Sequence, residues 1–227
     1  MLLFYLVTAL GGALSLWASS RVKSAFQRYA QVGVASGLTG AQAAAAVCRA
    51  AGVGQVTIER HQGFLSDHYD PRSRTLRLSP QVYDGRSVSS IAVAAHEAGH
   101  AIQHARSYAW LNFRSAMVPV VSIGSQMWMP VLLLGALVAG TGGALLGIGL
   151  FALVVAFQLV TLPVEFDASK RAKAVLASSG IVSTREEAEG VEHVLGAAAM
   201  TYVAGAAAGM MQLAVLLLQF LGSGNSE

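Results

Sequence analysis

Apolar residues in this chain gather into a few long runs, with the polar ones collected between them. The first run, "LLFYLVTALGGALSLWA" at residues 2–18, is just long enough to span a bilayer core at 1.5 Å per residue. From Ser115 to Leu162 no side chain is charged, a stretch about twice the length of one span. The Gly-rich "GALVAGTGGALLGIG" near its middle supplies a turn. The run therefore divides into two spans, roughly 115–137 and 143–162, with Pro119 and Pro130 as candidate kinks in the first. A last run, residues 194–222, is rich in the small residues that let helices approach closely. Four spans result.

Between the runs the periodicity changes. "SGLTGAQAAAAVCRAAGV" reads as a short helix begun near Thr39 and ended by Gly52. "QVTIER" and "TLRLS" alternate like strands, with "HYDPRSRT" as a turn between extended pieces, so a small sheet is expected. A helix follows from about Val88 to Arg106, capped by Ser87 or Ser89. After the third span come a helix through "EFDASKRAKAVLAS", a stop at Gly180, and a helix start at "STREEAEG" with the capping-box pattern Ser183 to Glu186.

Charge orients this arrangement. Hydrophobic residues make up 54% of the 227-residue chain and charged ones 12%, about half the share usual in soluble domains. Arg21, Lys23 and Arg28 follow the first span, Arg106 and Arg114 precede the second, and Lys170, Arg171 and Lys173 follow the third. By the positive-inside rule all three clusters face the cytoplasm, which puts both chain ends outside. The two spans between residues 114 and 165 return the chain to the same side, so parity agrees. A net charge of +3, with no stripe of basic and aromatic residues, argues against nucleic acid as a partner. The spans carry no charged residue to mark a transport path. Cys48 is the only cysteine, so no internal disulfide can form, and it reads as a small packing residue.

The candidate chemistry lies in "VAAHEAGHAIQHA", residues 93–105. On a helix, positions i and i+4 share a face, so His96 and His100 can present two imidazole nitrogens to one zinc ion. Glu97 follows the first histidine, where its carboxylate can act as general base toward an attacking water. His104 continues the face but lies eight residues from His96, about 12 Å along the axis, too far to share the ion. A third ligand is needed, and the carboxylates of "PVEFDASKRA" (163–172) are better placed than His61, His68 or His193. Glu165 and Asp167 point about 200° apart around a helix, so only one of them can face a metal. Residues 61–79 offer a candidate edge strand for an extended peptide, and His193 and Tyr202 are candidate oxyanion donors.

Three segments, "VAAHEAGHAIQHA", "SDHYDPRSRTLRLSPQVY" and "PVEFDASKRA", together with the span order, closely resemble the bacterial YugP-like membrane neutral zinc metallopeptidases. More distantly the chain looks like HtpX-type and CAAX-prenyl endopeptidases. The resemblance implies a zinc metalloendopeptidase of gluzincin-like type. His96, His100 and Glu165 would bind one Zn2+, and Glu97 would be the catalytic base. The distant relatives carry an aspartate four residues after the glutamate ligand, where this chain has Ser169. The expected fold is a mainly α membrane protein: four transmembrane helices with a small α+β, zincin-like cytoplasmic domain bearing HExxH on a helix. Its segments are an anchor at 1–18, a cytoplasmic domain at 19–114, a membrane hairpin at 115–162, a cytoplasmic segment at 163–193 and a last span at 194–222. The implied location is the bacterial inner membrane, multi-pass, with the site facing the cytoplasm. The implied partners are the lipid bilayer and a peptide or membrane-protein substrate; nothing in the sequence fixes an oligomeric state. The alternative is a zinc-containing membrane scaffold or quality-control binding protein without proteolytic activity.

Overall fold

The computed structural model describes residues 2–223; Met1 and residues 224–227, the chain ends expected outside, lie beyond the described residues. The helices are α1 (Leu2–Tyr29), α2 (Gly40–Ala50), α3 (Pro80–Tyr83), α4 (Val88–Ala105), α5 (Ala109–Ser178) and α6 (Arg185–Ser223). Between α2 and α3 lie the strands β1 (Thr57–Arg60), β2 (His68–Asp70) and β3 (Thr75–Leu78).

Among the described residues, three helices are long and apolar enough to cross a membrane: α1, α5, and α6 through Gln219. Four spans were expected, and the difference lies in α5. Its 70 residues contain a break at Ala139 (φ −128°, ψ 17°) and Gly140 (φ 59°, ψ −139°). Gly140 takes the left-handed region that side chains with a Cβ avoid. The limbs on either side fold back on each other so closely that a Cβ on Gly143 would lie 2.0 Å from the Gly135 carbonyl oxygen. The expected hairpin is thus one long helical run with a reversal inside it. Pro119 and Pro130 keep helical backbone angles, and the break falls at the glycine-rich turn instead.

The chain divides into two compact units, Met1–Ala18 with Asn112–Leu162 and Thr201–Glu227, and Ser19–Leu111 with Pro163–Met200. In the first, Leu132, Ile148 and Leu216 form a small buried cluster, while Ile123, Leu137 and Val138 are exposed. The second unit holds a continuous core. There α2 packs along α4, and the buried side chains include Val47, Leu76, Val82, Ile91 and Leu176.

The sheet has the order β1-β3-β2, with β1 parallel and β2 antiparallel to the central β3. Leu76 on β3 stands opposite both Ile58 and Tyr69. The segment "HYD", expected to belong to a turn, is itself a strand. Three residues are too few to show alternation, and pairing with β3 decides their conformation. Asp70 then organises the turn, accepting hydrogen bonds from Arg72 N at 2.9 Å and Ser73 Oγ at 2.8 Å.

The caps follow local chemistry. Thr39 caps α2 with a complete capping box to Gln42. Ser87 caps α4, its Oγ accepting from Ser90 N, while Ser89 donates to the Phe26 carbonyl. At α6 the expected box from Ser183 to Glu186 is shifted by one residue. Glu187 N donates to Thr184 Oγ1 at 3.2 Å, and Thr184 N donates to Glu187 Oε2 at 3.0 Å. The same carboxylate accepts from Ala35 N at 2.6 Å, and this tertiary bond selects the register.

Candidate metal centre

α4 and the part of α5 from Pro163 onward, both in the second unit, build the site. His96, Glu97 and His100 lie on α4, and Glu165 lies on α5 three residues after Leu162. Close helix packing brings them together. A Cβ on Gly99 would lie 2.4 Å from the Ala168 carbonyl oxygen, so a side chain there would push the helices apart.

One donor atom from each of His96, His100 and Glu165 lies within 4.8 Å of the others. Glu165 Oε2 is 3.2 Å from His96 Nε2 and 3.6 Å from His100 Nε2. A tetrahedral ion with bonds of about 2.0–2.2 Å sets its donors roughly 3.4 Å apart, so the spacing fits zinc. The imidazole planes are 82° apart with centroids 4.8 Å apart, so their ring edges can converge on one point.

The other ring nitrogens are engaged in ways that suit a metal site. Gln103, fully buried, donates through Nε2 to the Val164 carbonyl and to Asp167 Oδ2, both at 2.8 Å. Both partners can only accept, so Gln103 presents Oε1 as an acceptor to His100 Nδ1 at 3.0 Å. His100 therefore carries its proton on Nδ1, which leaves the Nε2 lone pair for a cation. His96 Nδ1 meets Ser169 Oγ at 3.0 Å. Asp167 also accepts from Arg171 Nε at 2.5 Å, so it supports Gln103 and does not join the three donors. The donor set, its spacing and its supporting bonds fit a zinc ion.

Burial and neighbouring carboxylates together set the electrostatics around the donors. Burial disfavours a charged His100, yet the Glu165 carboxylate beside it, helped by Glu97, raises its pKa above the ordinary imidazole value. Glu97 is itself buried. Its charge also reaches Asp67, whose carboxyl burial pushes up despite bonds from Ser79 N at 2.7 Å and Ser79 Oγ at 3.1 Å.

The remaining candidates lie apart from the three donors. His104 Nδ1 shares a 2.9 Å hydrogen bond with Tyr69 Oη. His61 and His68 meet edge to face on the surface, and His68 belongs to the edge strand β2. His193 bonds to Tyr29 Oη and the Glu189 carbonyl, while Tyr202 belongs to the first unit. Sequence reasoning missed Gln103 and the use made of Ser169. The available signal was an amide three residues after a candidate metal histidine, on the same helical face.

Comparison with known proteins agrees with this chemistry. The family model described as "Putative neutral zinc metallopeptidase" matches residues 3–221. The chain is 46% identical over 222 residues to "Putative membrane protease YugP" of Bacillus subtilis (strain 168), which covers 97% of each chain. No solved structure matches the chain. With a match over nearly its whole length and nearly half its positions shared with a full-length relative, the chain belongs to this neutral zinc metallopeptidase family.

Proposed function

We propose that the chain is a membrane-embedded zinc endopeptidase that hydrolyses peptide bonds of peptides or membrane proteins at the cytoplasmic face. One zinc ion is held by His96 Nε2, His100 Nε2 and a Glu165 carboxylate oxygen. The observation that carries this reading is the convergence of those three donors at tetrahedral spacing. Three protein ligands leave a coordination position open, which suits catalysis and weighs against the scaffold alternative. A zinc ion held there would supply Lewis acidity toward a substrate carbonyl and the attacking water.

The other roles fall to the chain itself. Glu97 accepts a proton from the attacking water and delivers it to the leaving amine. Gln103 and Ser169 hold the two imidazoles in the tautomer and orientation that aim Nε2 inward. Of four membrane crossings, α1 and α6 make one each and the two limbs of α5 make the other two, leaving residues 19–114 and 163–193 in the cytoplasm.

The test compares purified wild type with Glu97→Gln for zinc per chain and for peptide cleavage. Glu97→Gln should keep zinc and fold while losing about 10²–10⁴-fold in turnover, because an amide cannot accept the proton. Turnover near the wild-type rate would remove Glu97 from the general-base role. Topology is read separately, by labelling single cysteines at Ser73 and Gly142 in a Cys48→Ser background. Only the Gly142 position should react from outside; reaction at Ser73 would reverse the orientation.

A further inference from the structure

We propose that a cavity lined by none of the three donors binds the phosphate headgroup of an anionic phospholipid. The cavity has a volume of about 300 Å³, and its lining includes Arg21, Ser24, Arg28 and Tyr29 from α1 and His193 and Ala197 from α6. The proposal rests on the membrane reading above, though not on its catalytic part.

The spacing comes first. Arg21, Ser24 and Arg28 are three and four residues apart on α1, so they share one helical face, and Ser20 stands one turn before Ser24. The charge comes next. Two guanidinium groups line the cavity and no carboxylate does. Guanidinium is the cation best shaped to hold phosphate through paired N–H bonds.

The pairing of Tyr29 on α1 with His193 on α6 adds a hydroxyl donor. His193 Nδ1 lies 2.7 Å from the Glu189 carbonyl oxygen, which can only accept, so that nitrogen carries the proton. Tyr29 Oη, 3.1 Å from the same Nδ1, therefore faces a donor and acts there as acceptor. Its own hydroxyl hydrogen is left to be given to another oxygen.

The position along the helices selects a lipid. On α1 the lining begins at Ser20, two residues after the apolar run that ends at Ala18. On α6, His193 immediately precedes the run that starts at Val194. Both helices thus pass from polar to apolar sequence at the cavity, the level at which a spanning helix meets phospholipid headgroups.

The test uses the full-length protein in detergent, titrated with equimolar phosphatidylglycerol and phosphatidylcholine, with bound lipid counted by native mass spectrometry. Wild type should retain phosphatidylglycerol on the order of tenfold over phosphatidylcholine, the preference two basic side chains confer near a headgroup. The Arg21→Gln/Arg28→Gln pair should lose that preference, whereas Arg49→Gln, which removes a charge from α2, should keep it. Arg28→Lys keeps the charge without the fork and should lie between wild type and the double variant. Zinc content measured on the same samples reports whether each variant is folded.

Equal retention of the two lipids, or a double variant with unchanged preference and intact zinc, would overturn the proposal. So would displacement of phosphatidylglycerol by millimolar inorganic phosphate but not by chloride of equal ionic strength, since the cavity would then serve free phosphate. A chain that stays soluble and lipid-free without detergent would take down the membrane reading itself.

Discussion

In residues 112–162 large apolar side chains face away from the protein, with Val138 84% and Leu137 82% exposed, whereas Leu76, Leu78, Val88 and Ile91 of the second unit are completely buried. The polar groups differ just as sharply. Among the described residues, the buried side-chain polar atoms without a hydrogen-bond partner are Arg114 Nε, Gln158 Oε1 and Gln212 Nε2, all in the first unit. In the second unit Gln103, Ser89, Ser169 and Glu165 are buried, and each has partners. Helices read as lying in lipid need only close packing of small residues to associate. A metal site needs its donors fixed to within fractions of an ångström, and a fully satisfied polar network provides that rigidity.

This contrast is broken most severely at two glycines. Gly99→Val should separate α4 from α5, because even a Cβ there meets the Ala168 carbonyl at 2.4 Å. We expect a stability loss of about 1–3 kcal/mol and a larger fall in zinc affinity than loss of a supporting hydrogen bond produces. Gly143→Val meets an equally hard contact, 2.0 Å from Gly135 O, within the first unit. It should lower thermal stability and leave zinc affinity unchanged. Equal effects of the two on a zinc titration would erase the distinction between the units.

A smaller effect is expected at Gln103. Gln103→Leu leaves His100 Nδ1 and the Val164 carbonyl without their amide partner, at about 1–3 kcal/mol for each buried group left unsatisfied. Zinc affinity should fall about 10–100-fold, and Gln103→Glu should not restore it, because its second oxygen would face the Val164 carbonyl and Asp167, which only accept. Wild-type affinity in Gln103→Leu would reduce the amide to packing.

Much of this architecture can be read from residue patterns, for identifiable reasons. Long uncharged runs announce the apolar helices because lipid-facing stretches need no alternation. The i,i+4 spacing of His96 and His100 puts both rings on one face whatever the tertiary structure. The choice between Glu165 and Asp167 was not available from helical phase alone, since phase says only that the two diverge; it came from resemblance. What stayed hidden depends on partners distant in sequence. The α6 cap shifts by one residue because Glu187 also serves Ala35 N. Strand β2 exists because β3 is beside it. Gln103 gains its meaning only when Val164 and Asp167 arrive from another helix.

The central claim is that Glu165 completes the metal site while Asp167 supports it from behind, and chelator competition on purified protein tests it most directly. Glu165 Oε2 lies 3.2 and 3.6 Å from the two histidine Nε2 atoms, whereas Asp167 is bonded to Gln103 and Arg171. Removing a ligand from a site whose geometry binds cooperatively should cost far more affinity than removing a supporting hydrogen bond. Glu165→Gln should therefore release zinc at chelator concentrations that leave Asp167→Asn loaded. If Asp167→Asn releases zinc first, or Glu165→Gln holds zinc as tightly as wild type, the assignment of the third ligand is wrong.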